Sequence, residues 1–145
     1  MDQPKEQNTL SFHAASACRR AVLIIDDDED LLELNRTVLE ANDYEVFTAQ
    51  SGKAAFAVLA DIGPPDLILL DMTMAGMSGP DFLKTLEKER PDLLECVPII
   101  FLTGLDEVPA SRARGFIKKP YDIGKFLNIV ERFTRTQTHV PFRQH

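Results

Sequence analysis

Short apolar runs, each closed by a turn signal, alternate with stretches of helical spacing, and this alternation limits the possible folds more than any other property of the chain. Ala21–Ile25 is continuously apolar, as expected of a strand buried on both faces. Leu31, Leu34 and Val38, with Leu32 and Leu39 beside them, then give a helical stripe that starts after Asp28 and ends near Asn42. Residues 44–49 read as a second strand. Ser51 caps a helix carrying Ala54, Ala55, Val58, Leu59 and Ile62, which Gly63-Pro64-Pro65 stops. Residues 66–70 form a third strand, and Pro80 suits the first turn of a helix bearing Phe82, Leu83 and Leu86 that Pro91 limits. Residues 97–102 are a fourth strand and 114–118 a weaker fifth, before a last helix built on Ile123, Phe126, Leu127, Val130 and Phe133. Strands alternating with helices at this spacing imply an α/β domain with a parallel sheet covered on both faces.

Composition fits one domain of this kind: 145 residues, 44% hydrophobic and 27% charged. No apolar run approaches the ~18 residues of a membrane span, and the polar start MDQPKEQNTL is unlike a signal peptide, so the expected location is cytoplasmic. Cys18 and Cys96 form no C-x-x-C and read as reduced thiols rather than a metal knuckle or redox pair. Residues 1–19 read as a flexible extension, 20–134 as the domain, and 135–145 as a loose tail. Residues 1–111 hold 8 Lys/Arg against 21 Asp/Glu, a net −13, whereas residues 112–145 hold 8 against 2, a net +6. A basic end of this size is expected to be a solvated face, since no helix-turn-helix unit for nucleic acid fits in the residues that remain.

The stretch AVLIIDDDEDLLEL, residues 21–34, sets four aspartates and one glutamate directly against the first strand. Two carboxylates ~4 Å apart at an effective dielectric of ~20 repel by ~4 kcal/mol, so converging acids need a positive charge among them. In an open parallel sheet, ligands gather at the carboxyl ends of the strands where the strand order reverses. That rule picks out Asp26, Asp27 and Asp28 after the first strand, Asp71 after the third, Thr103 after the fourth and Lys119 after the fifth. Asp26, Asp27 and Asp71 carry −3, which one Mg2+ and Lys119 balance, leaving a site able to accept a phosphoryl group. Clustered acids without metal are expected to hold raised pKa values.

Four motifs in order closely resemble the receiver domain of bacterial response regulators, of the single-domain, chemotaxis-regulator-like kind. They are LIIDDDEDLLEL, DLILLDMTMAGMSGPDFL, PIIFLTG and GFIKKPYD. The resemblance covers residues 20–134. It implies a flavodoxin-like, doubly wound five-stranded sheet in the order 2-1-3-4-5 and a role in two-component signalling or a phosphorelay. By the same resemblance Asp71 is the nucleophile that takes phosphate from a histidine kinase or histidine phosphotransfer protein. Asp27 binds Mg2+ directly, Asp26 mainly through water, and the Thr73 carbonyl completes the protein ligands. Lys119 pairs with Asp71 or the phosphoryl group, and its bond to Pro120 resembles the family's cis peptide. Thr103 hydrogen-bonds the phosphoryl oxygen beside small Gly104, and Phe116 holds the aromatic switch position. Asp28, Glu29 and Asp30 are left as helix-start residues favoured by the helix dipole. Beyond self-catalysed phosphotransfer and slow dephosphorylation no enzyme activity is implied.

The sequence departs from the family pattern at three places. Ala75 stands where the family commonly has proline, implying a less rigid loop. Thr73 and Leu105 are neither the acid nor the amide that orients an attacking water, implying slow self-dephosphorylation. The stretch between Thr103 and Lys119 is short, so the fourth helix is expected to be shortened or missing, and Pro109 reinforces this. With no output domain in these residues, the signal is expected to leave through a partner-binding surface whose protein target the sequence does not name. Two rival readings use the same residues. A phosphatase of haloacid dehalogenase type would use Asp26 in D-x-D, although Asp30 replaces the Thr or Val expected there. A pseudo-receiver would only bind proteins, which the intact set Asp26, Asp27, Asp71, Thr103 and Lys119 argues against.

Overall fold

All five expected strands form, β1 at its expected bounds and no other end moved by more than two residues. The structure is a computed structural model that describes residues 19–106 and 111–139. In chain order the elements are β1 (Ala21–Ile25), α1 (Glu29–Glu40), β2 (Glu45–Ala49), α2 (Gly52–Ile62), β3 (Leu67–Asp71), α3 (Gly79–Glu89), α4 (Pro91–Cys96), β4 (Ile99–Thr103), β5 (Gly115–Lys118) and α5 (Ile123–His139). The strands pair in parallel in the order β2-β1-β3-β4-β5, as the resemblance implied.

The helix starts are chemically marked. Asp28 Oδ1 accepts hydrogen bonds from the N–H groups of Asp30 and Leu31 at 3.1 and 3.2 Å, and Glu29 and Asp30 fill the first turn of α1. Ser51 Oγ accepts from Ala54 N–H at 3.0 Å and Ser78 Oγ from Asp81 N–H at 3.2 Å, capping α2 and α3. Gly63, at φ 77°, ends α2 in a conformation that side chains other than glycine rarely adopt.

Alternate residues of each strand feed two cores. Leu23, Ile25, Ile68, Leu70, Ile99 and Phe101 face Ala55 and Leu59 of α2, Phe82, Leu83 and Leu86 of α3, and Leu93 and Leu94 of α4. Val22, Ile24, Leu67, Leu69, Ile100, Leu102 and Ile117 face Leu32 and Leu39 of α1 and Phe126 and Val130 of α5. Every residue of β3 and β4 is buried, which is why their runs lack polar alternation.

Three sequence expectations are amended. The buried face of α1 is Leu32, Asn35 and Leu39; Leu34 is 51% exposed, and Leu31 and Val38 are only half-buried. Two apolar stripes overlap on that helix, and the sheet selects the one containing an asparagine. Pro91 does limit α3, but it also opens α4, because proline's fixed φ and missing N–H suit a first turn. The last helix continues to His139, past the boundary set at 134 and into the tail expected to be loose.

The described residues between β4 and β5, 104–106 and 111–114, contain no helix, in line with a shortened or missing fourth helix; residues 107–110 lie outside the described residues. So does the expected N-terminal extension up to residue 18, with Cys18. Among the described residues no helix is long and apolar enough to cross a membrane.

Candidate functional site

Strand register brings the sequence-selected residues to one rim. Ile25 of β1 pairs with Leu70 of β3, so Asp26, one step past β1, stands beside Asp71, the last residue of β3. Asp71 pairs with Leu102, and Thr103, ending β4, pairs with Lys118, so Lys119 emerges beside the threonine. The order reverses between β1 and β3, which leaves the crevice where ligands of such sheets bind.

Carboxylate oxygens of Asp26, Asp27 and Asp71 lie within 4.8 Å of one another, with Asp26 and Asp71 buried and Asp27 exposed. Asp26 N–H donates to the Ala49 carbonyl at 3.0 Å, and its Oδ1 accepts from Asp28 N–H at 3.0 Å. Its Oδ2 is buried and has no hydrogen-bond partner; the nearest cation, Lys119 Nζ, is 3.7 Å away. Burial raises the Asp26 pKa to about 6, with the Asp71 charge adding to the rise and the Asp28 N–H and Lys119 opposing it. The rise expected from mutual repulsion of the clustered acids is found at Asp26, but burial is its main cause and the Asp71 charge a lesser one.

Lys119 Nζ donates to Asp71 Oδ1 at 3.2 Å. Burial works to lower the lysine's pKa, but the charges of Asp26 and Asp71 together outweigh it and the net shift is upward, so the ammonium keeps its charge. Lys119 N–H donates to the Thr103 carbonyl at 2.6 Å, fastening the lysine backbone to β4, and the Lys119–Pro120 bond is cis, as the resemblance implied. Thr103 is 3% exposed, and its Oγ1 accepts from Leu105 N–H at 3.0 Å. Phe116, 40% exposed, is not core packing, which leaves its ring accessible on the surface of β5.

Four residues contribute in ways the sequence did not announce. Ala75 N–H donates to Asp27 Oδ2 at 3.0 Å, a bond that proline could not make. The substitution that implied a looser loop thus supplies the tie between that loop and Asp27. Gly79 passes so close to β3 that a Cβ there would sit 2.6 Å from the Asp71 carbonyl oxygen and 2.9 Å from Met72 Cα, so the loop can close over the acid only with glycine. Asn35, buried, and Tyr121, half-buried, form a polar pair behind Lys119; an asparagine inside the stripe Leu32-Asn35-Leu39 was the available signal. Thr73 is exposed, two residues past Asp71, and its N–H donates to Asp71 Oδ1 at 3.4 Å.

The donor set suits a hard divalent cation. It offers carboxylate oxygens at close range, one of them buried and unpartnered, and a net negative charge that Lys119 alone does not cancel.

Comparison with known proteins agrees with this geometry. The family model for the response regulator receiver domain matches residues 22–131. Response regulator SaeR of Staphylococcus aureus is 33% identical over 107 residues, covering 69% of this chain and 44% of SaeR, so the chain spans less than half the length of that relative. The chemotaxis protein CheY4 of Vibrio cholerae superposes with a TM-score of 0.70 at 26% identity, over 80% of this chain and 99% of CheY4. Response regulator protein TrrA of Thermotoga maritima, solved in complex with Mg(2+)-BeF, superposes with a TM-score of 0.67 at 25% identity, over 79% of this chain and 98% of that one.

Proposed function

The chain belongs to the response regulator receiver domain family of two-component systems, and on that premise we propose that it accepts a phosphoryl group on Asp71 from a histidine kinase or phosphotransfer protein. One observation carries the reading. Asp71 is a buried carboxylate at the end of the central strand, with an ammonium at 3.2 Å and two further carboxylates close enough to share a cation with it.

In the proposed transfer, a carboxylate oxygen of Asp71 forms a bond to phosphorus as the phosphorus–nitrogen bond of a phosphohistidine breaks. The imidazole nitrogen leaves with the electron pair, and a carboxylate nucleophile has no proton for a base to remove. Asp26, Asp27 and Asp71, with the Thr73 carbonyl, would hold Mg2+, which when bound neutralises charge on the phosphoryl oxygens. Lys119 supplies the second positive charge at a position fixed by its backbone bond to Thr103. The Thr103 Oγ1 accepts from Leu105 N–H, which leaves its own O–H proton to donate to a phosphoryl oxygen. That new bond, with Lys119 drawn onto the phosphoryl group, would carry the change to β5 and Phe116 and alter a partner-binding surface. The chain's own catalysis is confined to this transfer and a slow hydrolysis.

Incubation with acetyl phosphate and Mg2+ followed by intact-mass measurement tests the reading. One added phosphoryl group is expected on the unaltered chain and none on Asp71→Asn, which keeps the shape and removes the nucleophile. An equal gain on the Asn variant, with the group mapped to Asp26, would instead favour the dehalogenase-type reading. Addition to neither would favour a pseudo-receiver.

A further inference from the structure

Asn35 is fully buried on the core face of α1, between Leu32 and Leu39. Its Nδ2 donates to the Tyr121 hydroxyl at 2.8 Å, across 86 residues of sequence, while its Oδ1 is buried without a partner. An amide whose carbonyl oxygen is buried without a partner is a costly occupant of an apolar stripe, where leucine would fill similar space without that cost. The tyrosine is equally constrained: its ring stacks on Phe126 of α5, centroids 5.2 Å apart and planes within 11°. Burial raises its hydroxyl pKa, and the hydroxyl lies close enough to feel the charges of Lys119, Asp26 and Asp71.

Tyr121 sits two residues after Lys119. The lysine is held on its own side by the bond to Thr103, and the segment beyond it is held by the Phe126 stack and the Asn35 amide. We propose that Asn35 and Tyr121 are positioning residues for Lys119: the amide–hydroxyl bond fixes the turn behind the lysine and so keeps its ammonium aimed between Asp26 and Asp71. The pair touches no reacting atom and acts through Lys119. This inference rests on the reading of Asp71 as phosphoacceptor for its consequence in rate, but not for its consequence in geometry.

Tyr121→Phe keeps the ring stack and removes the hydroxyl; Asn35→Leu keeps the approximate volume and removes the amide. NMR relaxation of the Lys119 side chain in the unphosphorylated, metal-free protein is expected to show a less ordered ammonium in both, with the Phe126 ring signals unchanged. Phosphorylation by acetyl phosphate with Mg2+ is expected to slow by roughly tenfold in both, the scale of a lost orientation rather than a lost group. The double variant is expected to be no slower than the slower single one, because the two side chains act through one bond. Lys119 order equal to that of the unaltered chain in Tyr121→Phe overturns the proposal, as does a strictly additive loss in the double variant. If the unaltered chain takes no phosphoryl group at all, the functional reading fails, and the relaxation measurement still decides the positioning role.

Discussion

Phe101 and Phe116 are direct neighbours in register on β4 and β5, the same residue type on the same face of the sheet. Phe101 is 1% exposed and Phe116 is 40% exposed. The difference lies in the connections on either side of β4. Between β3 and β4 the chain runs through two helices, α3 and α4, whose Phe82, Leu83, Leu86, Leu93 and Leu94 close over the sheet. Between β4 and β5 the described residues form no helix that could close over Phe116. Arg112, in this connection, bridges Glu87 of α3 at 3.2 Å and Glu95 of α4 at 3.8 Å. One domain thus has a centre that is packed on both faces and an end that is packed on one. A residue's worth depends on the connection above it rather than on its own chemistry.

Truncating the two phenylalanines tests this contrast most severely. Phe101→Ala is expected to lower stability by about 3–5 kcal/mol in urea unfolding, because it empties a site ringed by buried side chains. Phe116→Ala is expected to cost under about 1 kcal/mol, since much of its ring already meets water. Equal losses would mean that β5 is covered after all.

The contrast extends to charge. Asp26 is buried at the centre, whereas the pair Lys118–Asp106, at 2.7 Å, sits exposed at the open end. Asp26's folded pKa of about 6 lies above the ordinary aspartate value of 3.8. The folded state therefore binds this proton more tightly than the unfolded chain. The resulting stabilisation is full below about pH 3.8 and is lost as pH rises through about 6. At ~1.4 kcal/mol per pKa unit the ionised Asp26 costs the metal-free fold about 3 kcal/mol. Asp26→Asn is expected to be more stable than the unaltered chain by about that much at about pH 8, and nearly equal to it at about pH 4, in chelator-treated thermal or urea unfolding. Asp106→Asn is expected to leave stability unchanged within error across the same range, because its ion pair is open to solvent.

Glycines refine the contrast at smaller scale. Gly79→Ala puts a Cβ against backbone at the Asp71 carbonyl and is expected to cost about 1–3 kcal/mol, while also slowing phosphorylation of Asp71. At Gly104, where nothing lies within 4 Å of an added Cβ, alanine is expected to alter stability by under about 0.5 kcal/mol. Arg112→Ala falls between those two. Its partners are half-exposed or more, so calorimetry is expected to register a loss of about 0.2–1 kcal/mol, shrinking in high salt.

The strands and caps were legible because their signals are local. A continuous apolar run announces a doubly covered strand, and Asp28, Ser51 and Pro80 act on backbone groups within a few residues of themselves. The same holds for the site's membership. Each of Asp26, Asp71, Thr103 and Lys119 ends or comes just after a strand, and parallel register carries strand ends to one rim. α4 was hidden because a proline that stops one helix looks, in sequence, like a proline that starts the next.

The alternation, the strand ends and the identity of the acids, cation and hydroxyl that meet there were thus settled by residue order. Docking of the elements settled which of two overlapping stripes on α1 turned inward, burying Asn35 and exposing Leu34. It also brought Ala75 N–H to Asp27 and Gly79 against β3. Those outcomes depend on a helix's rotation and a loop's approach, which are fixed when separate elements pack. The free energy that selects them comes from contacts between residues far apart in the chain, and no spacing within a single segment encodes it.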